Sequence, residues 1–231
     1  MLIINKHKKI LLDTLFAIYS DRELAPVLGF KGGTAALLFY GLDRFSVDLD
    51  FDLLQLNMKD RVFACLFKIT GAQGIIKEKY IKKNTILFVV SYSELNQNIK
   101  LEVSTRDFGS KYAIMNYLGI PMKVMVKEDM LAHKLAAMSE RMGSSNRDIY
   151  DVNYFLKNNW SLNEGMLAKR VGGDLKSFLE KTAKQVEKIK TNKILDGIGE
   201  LLDNKAKAWV KNNLAKETAG RLRILKESIN N

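Results

Sequence analysis

Apolar residues in the first half of the chain recur with two spacings, one typical of helices and one typical of strands. Helical spacing predicts an opening amphipathic helix, built on Leu11, Leu15 and Tyr19, and a further helix around residues 58–70. Runs of strand-forming residues predict strands before Gly32, over residues 47–51, and over 74–81, 85–92, 99–106 and 119–126. Helices and strands therefore alternate over residues 1–126, which is typical of an α/β domain.

The second half of the chain has helical spacing almost to its end. Leu131, Leu135, Met138 and Met142 form one apolar stripe along a helix predicted over residues 127–142, and a second helix is predicted over 146–158. Further amphipathic helices are predicted over residues 163–171, 174–190, 192–203 and 205–227. No proline follows residue 121, which suits a helical bundle over residues 127–231.

The net charge of the 231-residue chain is +11, and this charge is unevenly distributed. Residues 157–231 hold 16 Lys/Arg against 9 Asp/Glu, whereas residues 1–156 hold 21 against 17. A basic excess favours a polyanionic partner such as nucleic acid. A lysine-rich protein without such a partner fits the composition equally well.

Composition also argues against several classes of site and location. Cys65 is the only cysteine, so the chain forms no intramolecular disulfide or thiolate cluster, and His7 and His133 are too few to favour a zinc site. The first residues do not form a secretory signal, and no apolar run approaches the ~20 residues of a membrane span. We therefore expect a cytoplasmic protein with no membrane partner.

A glycine pair stands before a short apolar helix. Gly32 and Gly33 allow close approach to the backbone, and the helix predicted over residues 34–40 points its N-terminal N–H groups back at them. A triphosphate needs such donors, so this turn is a candidate phosphate-binding loop. A glycine pair by itself is also common in ordinary turns.

Two aspartates follow on an apolar strand. Asp48 and Asp50 are separated by one residue, so both carboxylates lie on one face of the strand while Leu49 and Phe51 face a core. Together with the glycines, the pair predicts a metal-dependent nucleotide site, although an isolated pair of this kind is more often a solvated strand face. Asp52 is interpreted as a solvated cap at the end of the strand.

A two-metal site calls for a third carboxylate, and Glu102 is the best candidate. It has apolar neighbours on both sides, in a strand that can lie beside the strand of the two aspartates. Glu78 and Glu94 fit less well, because one lies in a lysine-rich strand and the other near a loop. The alternative for Glu102 is an ion pair with Lys100.

Charged residues also recur in the helical half. Lys127, Lys134 and Arg141 follow one another every seven residues and form one basic stripe along a helix. Asp148 and Asp151 lie three residues apart and share a face of the next helix. In one interpretation the basic stripe is a solvated helix face and Asp148 is an acidic residue favoured in a first helical turn. In the other, the charged residues of both helices form a cluster that holds the base, the triphosphate or an acceptor.

These motifs, in this order, resemble the AbiEii/AbiGii toxin family, which includes the mycobacterial MenT toxins and belongs to the DNA polymerase β-like nucleotidyltransferases. The resemblance covers residues 28–156 and rests on Gly-Gly-Thr at 32–34, Arg-Phe-Ser-Val-Asp-Leu-Asp-Phe at 44–51, Lys134, and Arg-Asp-Ile-Tyr-Asp at 147–151. It implies an α/β (α+β) fold: a small mixed-sheet nucleotidyltransferase domain over residues 1–126, then a helical bundle domain over 127–231. The active site would lie in the cleft between the two domains.

The resemblance also implies roles for individual residues. Asp48 and Asp50 would bind Mg²⁺ in a two-ion site, to which the strand argument adds Glu102. Lys134 and Asp151 would complete the catalytic set. The residues implied to border the nucleotide are Gly32, Gly33, Thr34, Arg44, Ser46, Lys134 and Asp148.

The implied function is transfer of a nucleoside monophosphate from an NTP to an acceptor hydroxyl. The resemblance further implies a toxin of a toxin–antitoxin or phage-defence system, with a cognate antitoxin. We favour RNA as the acceptor, at the tRNA 3′ end, because some family members act there and the basic helical half suits RNA. Two alternatives remain: a protein or small-molecule acceptor, or a fold that binds nucleic acid without chemistry.

Overall fold

The computed structural model of the protein describes residues 4–93, 97–142 and 145–229. The chain divides into two compact units. The first, the sheet unit, comprises Met1–Asp107 and Lys111–Met125. The second, the helical unit, comprises Phe108–Ser110 and Val126–Asn231.

The sheet unit is built on one mixed sheet. Its helices are α1 (Ile4–Ser20), α2 (Gly32–Tyr40) and α3 (Lys59–Gln73), and its strands are β1 (Leu28–Lys31), β2 (Asp48–Leu53), β3 (Ile75–Lys82), β4 (Thr85–Ser91), β5 (Asn98–Ser104), β6 (Tyr112–Tyr117) and β7 (Ile120–Met125). The strand order is β3-β4-β5-β2-β1-β7-β6. Strand β2 lies in the middle, antiparallel to β1 and parallel to β5. The predicted α/β fold class is therefore confirmed.

The sheet has an apolar face and a polar face, because side chains alternate along each strand. On β2, Leu49 and Phe51 are fully buried, whereas Asp48 and Asp50 point the other way and are half-buried. Aromatic pairs join each helix of the unit to the apolar face, among them Tyr19–Phe51, Phe39–Phe30 and Phe63–Phe88. This packing sets the register of β2, since a shift by one residue would bury its carboxylates.

The helical unit contains six α-helices within its described residues. They are α4 (Lys127–Arg141), α5 (Arg147–Lys157), α6 (Glu164–Val171), α7 (Leu175–Glu187), α8 (Asn204–Trp209) and α9 (Ala215–Ser228). Helix α4 packs against α5 and α6, and α7 packs against α9. The predicted stripe on α4 is confirmed for Leu131, Leu135 and Met138, which are buried. No helix in the described ranges is long and apolar enough to cross a membrane.

The helix predicted over residues 192–203 is wrong, because this segment forms turns and a single 3₁₀ turn at Gly199–Leu201. Gly197 has a left-handed φ of 72°. The side-chain amide of Asn146 donates hydrogen bonds to the carbonyl oxygens of Lys193 and Ile194, at 2.8 and 3.2 Å. These carbonyl groups are satisfied by the residue that precedes α5 instead of by a helical ladder.

Strand β6 is missing from the sequence prediction. It pairs with β7 from Tyr112 opposite Met125 to Tyr117 opposite Ile120. The turn between the two strands contains Leu118 and Gly119, both with positive φ, as tight hairpins require. Because β6 is an edge strand whose side chains are exposed or half-buried, it has no apolar alternation that would predict it.

A short piece of the connection between β5 and β6, Phe108–Ser110, belongs to the helical unit. The ring of Phe108 lies 5.0 Å from the guanidinium carbon of Arg170 and 5.4 Å from the ring of His133. Arg170 donates a hydrogen bond of 2.8 Å to His133 Nδ1, so Nε2 carries the hydrogen and donates to Ser110 Oγ, also at 2.8 Å. Side chains of α4 and α6 therefore hold this piece of chain.

Candidate active site

The carboxylates of Asp48, Asp50 and Glu102 lie on the polar face of the sheet unit. Because β2 and β5 run parallel, with Asp48 opposite Lys100 and Asp50 opposite Glu102, these four side chains share one face. The register thus brings the two predicted metal ligands beside the third carboxylate, which was predicted from its strand position.

The negative charge of this face raises the pKa of Lys100. Its Nζ lies 2.5 Å from Glu102 Oε2, so the ion pair considered as the alternative for Glu102 is present. Burial alone would lower the pKa of Lys100, but the hydrogen bond to Glu102 and the charges of Glu102, Asp50 and Asp48 outweigh it and raise the pKa. A face with this potential favours a bound cation.

The acidic face suits Mg²⁺ in its choice of ligands. Within the described ranges, no group of three or more His, Cys, Asp or Glu side chains is arranged to hold a metal ion. Mg²⁺ needs no such cage, since it is commonly held by one or two carboxylates together with waters and substrate phosphates, and Asp48 and Asp50 match that description. The metal role of Glu102 stays a prediction. Glu78 is exposed on edge strand β3, and Glu94 lies outside the described residues.

Gly32, the first residue of α2, is in direct contact with Asp50. Its φ is +79°, and an ideal Cβ on it would lie 2.3 Å from Asp50 Oδ2 and 2.9 Å from Asp50 Cβ. Glycine is therefore required here both by the backbone conformation and by the space that Asp50 occupies. The consequence is that the N-terminus of α2, with its unpaired N–H groups, adjoins the acidic face.

The other predicted nucleotide-binding residues of the sheet unit surround the same turn. An ideal Cβ on Gly33 would lie 2.8 Å from both Arg44 Nη2 and Ser46 Oγ, and these two residues are buried. Thr34 Oγ1 donates a hydrogen bond of 2.5 Å to the carbonyl oxygen of Asp48 and lies 3.0 Å from Ser46 Oγ. These contacts hold the entry of β2 in place, while a direct contact with nucleotide stays a prediction.

His7 holds the residue before Asp48, and the sequence analysis missed it. The side chain is fully buried, with Nε2 3.0 Å from the carbonyl oxygen of Val47 and Nδ1 2.5 Å from the hydroxyl of Tyr92. Because a carbonyl oxygen only accepts, Nε2 carries the hydrogen and Nδ1 accepts from Tyr92. Burial lowers the pKa of His7, against smaller raising effects of the Val47 carbonyl and the charge of Asp48. The histidine therefore supports this segment in its neutral form.

Asp52 is not the solvated cap that the sequence predicts, because it is buried. Lys31 Nζ lies 2.5 Å from Asp52 Oδ1, and the hydroxyl of Tyr112 donates to Asp52 Oδ2 at 2.5 Å. Tyr112 lies on the unpredicted strand β6, and its ring covers Gly29, where an ideal Cβ would be only 2.3 Å away. Asp52 is thus held in a structural ion pair beside the acidic face.

A second charged cluster lies in the helical unit, between α4 and α5. Lys134 Nζ lies 2.8 Å from Asp148 Oδ1 and 2.7 Å from Asp151 Oδ2, and Arg141 Nη2 lies 2.8 Å from Asp148 Oδ2. Both aspartates are buried, so two cations neutralise two buried carboxylates. The structure brings these four side chains together, whereas Lys127 packs near an aromatic ring, 5.5 Å from its centroid.

Comparison with known proteins identifies the family and the fold. The family model of the nucleotidyl transferase AbiEii toxin, type IV TA system, matches residues 13–214. A Helicobacter pylori protein assigned to the nucleotidyltransferases is 24% identical with a TM-score of 0.58, over 96% of this chain and 97% of that one. JHP933, also from Helicobacter pylori, is 23% identical with a TM-score of 0.55, over 97% and 95%. At these identities the two similarities show the fold.

No curated protein matches the chain. The family model, however, extends over most of the sequence and includes Asp48, Asp50, Lys134 and Asp151. The protein therefore belongs to the AbiEii family of nucleotidyltransferase toxins of type IV toxin–antitoxin systems.

Proposed function

We propose that the protein transfers a nucleoside monophosphate from an NTP to an acceptor hydroxyl and releases pyrophosphate. The observation that carries this proposal is the contact between Gly32 and Asp50, with Asp48 on the same face. It joins the carboxylates that suit a divalent cation to the helix N–H groups that suit a triphosphate.

Residues of the sheet unit account for most of the proposed reaction. Asp48 and Asp50 would hold Mg²⁺, which when bound neutralises the triphosphate and lowers the pKa of the acceptor hydroxyl. The first N–H groups of α2 bind and orient the phosphates. The acceptor oxygen forms a bond to the α-phosphorus, while the bond between that phosphorus and the oxygen that bridges it to the β-phosphate breaks. The electrons of the broken bond leave with pyrophosphate, and the proton of the acceptor hydroxyl passes to water. Positioning and charge stabilisation supply most of the acceleration in such transfers.

RNA is the acceptor that the charge of the protein supports best, and we place the transfer at the tRNA 3′ end. The net charge of +11 attracts a polyanion and disfavours a cationic small molecule such as an aminoglycoside. A cognate antitoxin would restrain this activity in the cell. The proposed roles of Lys134 and Asp151 in catalysis, and of Asp148 in nucleotide binding, stay predictions, since these side chains bind one another in the helical unit.

Substitution of Asp48 tests the proposal. Asp48→Asn keeps the shape of the side chain and removes its charge, so transfer of labelled nucleotide to total cellular RNA should be abolished while the far-ultraviolet circular dichroism is unchanged. Asp60→Asn is the control, because Asp60 is an exposed residue at the start of α3. The position of the label then identifies the acceptor. Full transfer activity in Asp48→Asn would rule out the proposed site, and label on protein instead of RNA would rule out the proposed acceptor.

A further inference from the structure

A lysine-rich segment of the helical unit carries positive charge that the protein does not neutralise. Residues 204–216 contain Lys205, Lys207, Lys211 and Lys216, and neither Asp nor Glu. Among the described residues, no carboxylate lies within ion-pair distance of any of these four ammonium groups. The segment therefore presents a local positive field to the solvent.

The continuation of the same helix shows that this is a local feature and not simply the effect of a lysine-rich chain. In α9, Arg221 pairs with Glu217 at 3.2 Å and Arg223 pairs with Glu187 at 2.7 Å. Lys226 pairs with a glutamate of α7 at 3.0 Å. The C-terminal half of the helix is thus neutralised by its neighbours, whereas its N-terminal half is not.

Three of the four uncompensated lysines share one exposed face of the helix. The exposed positions of the segment are 204, 205, 208, 211, 212 and 216, which recur at helical spacing. We name Lys205, Lys211 and Lys216, together with Asn204 and Asn212, the lysine face. From the first of these lysines to the last the helix rises about 16 Å, a length over which a nucleic-acid strand presents several phosphates.

The opposite face of the segment anchors it in the helical unit. Val210 and Leu214 are buried, and the ring of Trp209 packs edge-on against Tyr150 at 6.3 Å. The turn over Val210–Leu214 is π-helical, a form that occurs frequently at functional sites. The lysine face is therefore presented on a fixed support.

We propose that the lysine face binds the phosphate backbone of the RNA acceptor. This inference rests on the proposed function, because it identifies the surface that takes up the acceptor of that reaction. Surfaces that bind protein partners are enriched in aromatic residues, methionine and arginine, and depleted in lysine. Ala208 is the largest apolar residue exposed on this segment. The chemistry of the lysine face therefore fits phosphates and not a protein surface. The two asparagines add amide groups that hydrogen-bond to sugars and bases.

The test is RNA binding in the absence of NTP, measured with the full-length protein. The triple variant Lys205→Gln/Lys211→Gln/Lys216→Gln removes three charges at positions where glutamine keeps the helix propensity. The control is Lys8→Gln/Lys68→Gln/Lys77→Gln, which removes three exposed charges from the sheet unit. The probes are a fluorescent RNA hairpin with a single-stranded 3′ end and a fluorescent polyglutamate peptide, each followed by anisotropy over a series of salt concentrations.

The lysine-face variant should bind the RNA about tenfold more weakly, and its plot of log K against log salt should be shallower by about 2, because each lost phosphate contact removes roughly 0.7 from the slope. The control should bind as the unchanged protein does. Equal weakening in both variants would show that only net charge matters and would overturn the proposal. Loss of polyglutamate binding with unchanged RNA binding would overturn it in favour of an acidic protein partner.

The result is independent of catalysis. If the lysine-face variant loses RNA binding but the unchanged protein transfers no nucleotide, the reaction is wrong and the surface stands. If the unchanged protein transfers nucleotide to RNA, but the variant binds RNA as tightly as the unchanged protein does, the proposed surface is wrong and the proposed reaction stands.

Discussion

The contact between Gly32 and Asp50 leads to the sharpest prediction. In Gly32→Ala, the left-handed φ of +79° costs about 1–2 kcal/mol of stability for any residue with a Cβ. The new methyl group would lie 2.3 Å from Asp50 Oδ2 and 2.9 Å from Asp50 Cβ, so rotation of the carboxylate does not relieve the clash. Restoring an ordinary contact of 3.4 Å with Asp50 Cβ requires the strand or the helix start to move by about 0.5 Å. Since a 1 Å misplacement costs about 100-fold, we expect transfer to slow by roughly tenfold.

Gly119→Ala provides the matched control. Gly119 has a φ of +86° in the same unit, and an ideal Cβ on it meets nothing within 4 Å. Gly119→Ala should therefore lose only the stability that the backbone conformation costs, Gly32→Ala should lose at least as much in thermal unfolding, and only Gly32→Ala should lose activity. Initial rates of labelled nucleotide transfer at a temperature where both variants are folded would measure the difference. Equal rates in the two variants would refute the reasoning that the position of Asp50 depends on Gly32.

Two further predictions concern buried charged groups. Lys134→Met should lower the free energy of unfolding by about 3–5 kcal/mol, because it removes the ammonium group that pairs with both buried carboxylates, Asp148 and Asp151. Chemical denaturation beside the exposed control Lys169→Met would measure the loss. A loss no larger than that of the control would mean that Lys134 does not stabilise the unit. Burial lowers the pKa of His7 below its ordinary value of 6.5. As the pH drops below 6.5, this histidine becomes protonated in the unfolded chain before it does so in the native chain, so the free energy of unfolding should fall. His7→Gln should weaken this dependence in unfolding measurements across pH, and an unchanged dependence would contradict the assignment.

The parts of the site that form within a few residues were predictable from the sequence. The alternation around Asp48 and Asp50 specifies which side chains face the core, and the glycine pair before an apolar helix specifies a close turn. The structure shows both features, the burial of Leu49 and Phe51 and the close contact at Gly32. The side-chain supports of this turn were not, because they join residues that are distant in the chain. His7 contacts Val47, 40 residues away, and Tyr112 contacts Asp52, 60 residues away. A single distant partner leaves no periodic signal.

The incorrect helix over residues 192–203 shows what apolar periodicity measures. Ile194, Ile198 and Leu202 recur every four residues, and all three are buried as the pattern indicates. The backbone between them nevertheless turns at Gly197. Periodicity therefore predicted which side chains enter the core, but the hydrogen bonds of the backbone were decided by contacts that the local sequence does not contain.

The segment Phe108–Ser110 has a consequence for how the protein can be divided. These three residues belong to the helical unit, although the strands on either side of them belong to the sheet unit. A fragment that starts at Val126 would leave Arg170 without the ring of Phe108, and His133 without the hydroxyl of Ser110. The helical unit is thus discontinuous in sequence, and no single cut releases it whole. Recombination with the helical half of a relative would have to transfer this short segment as well.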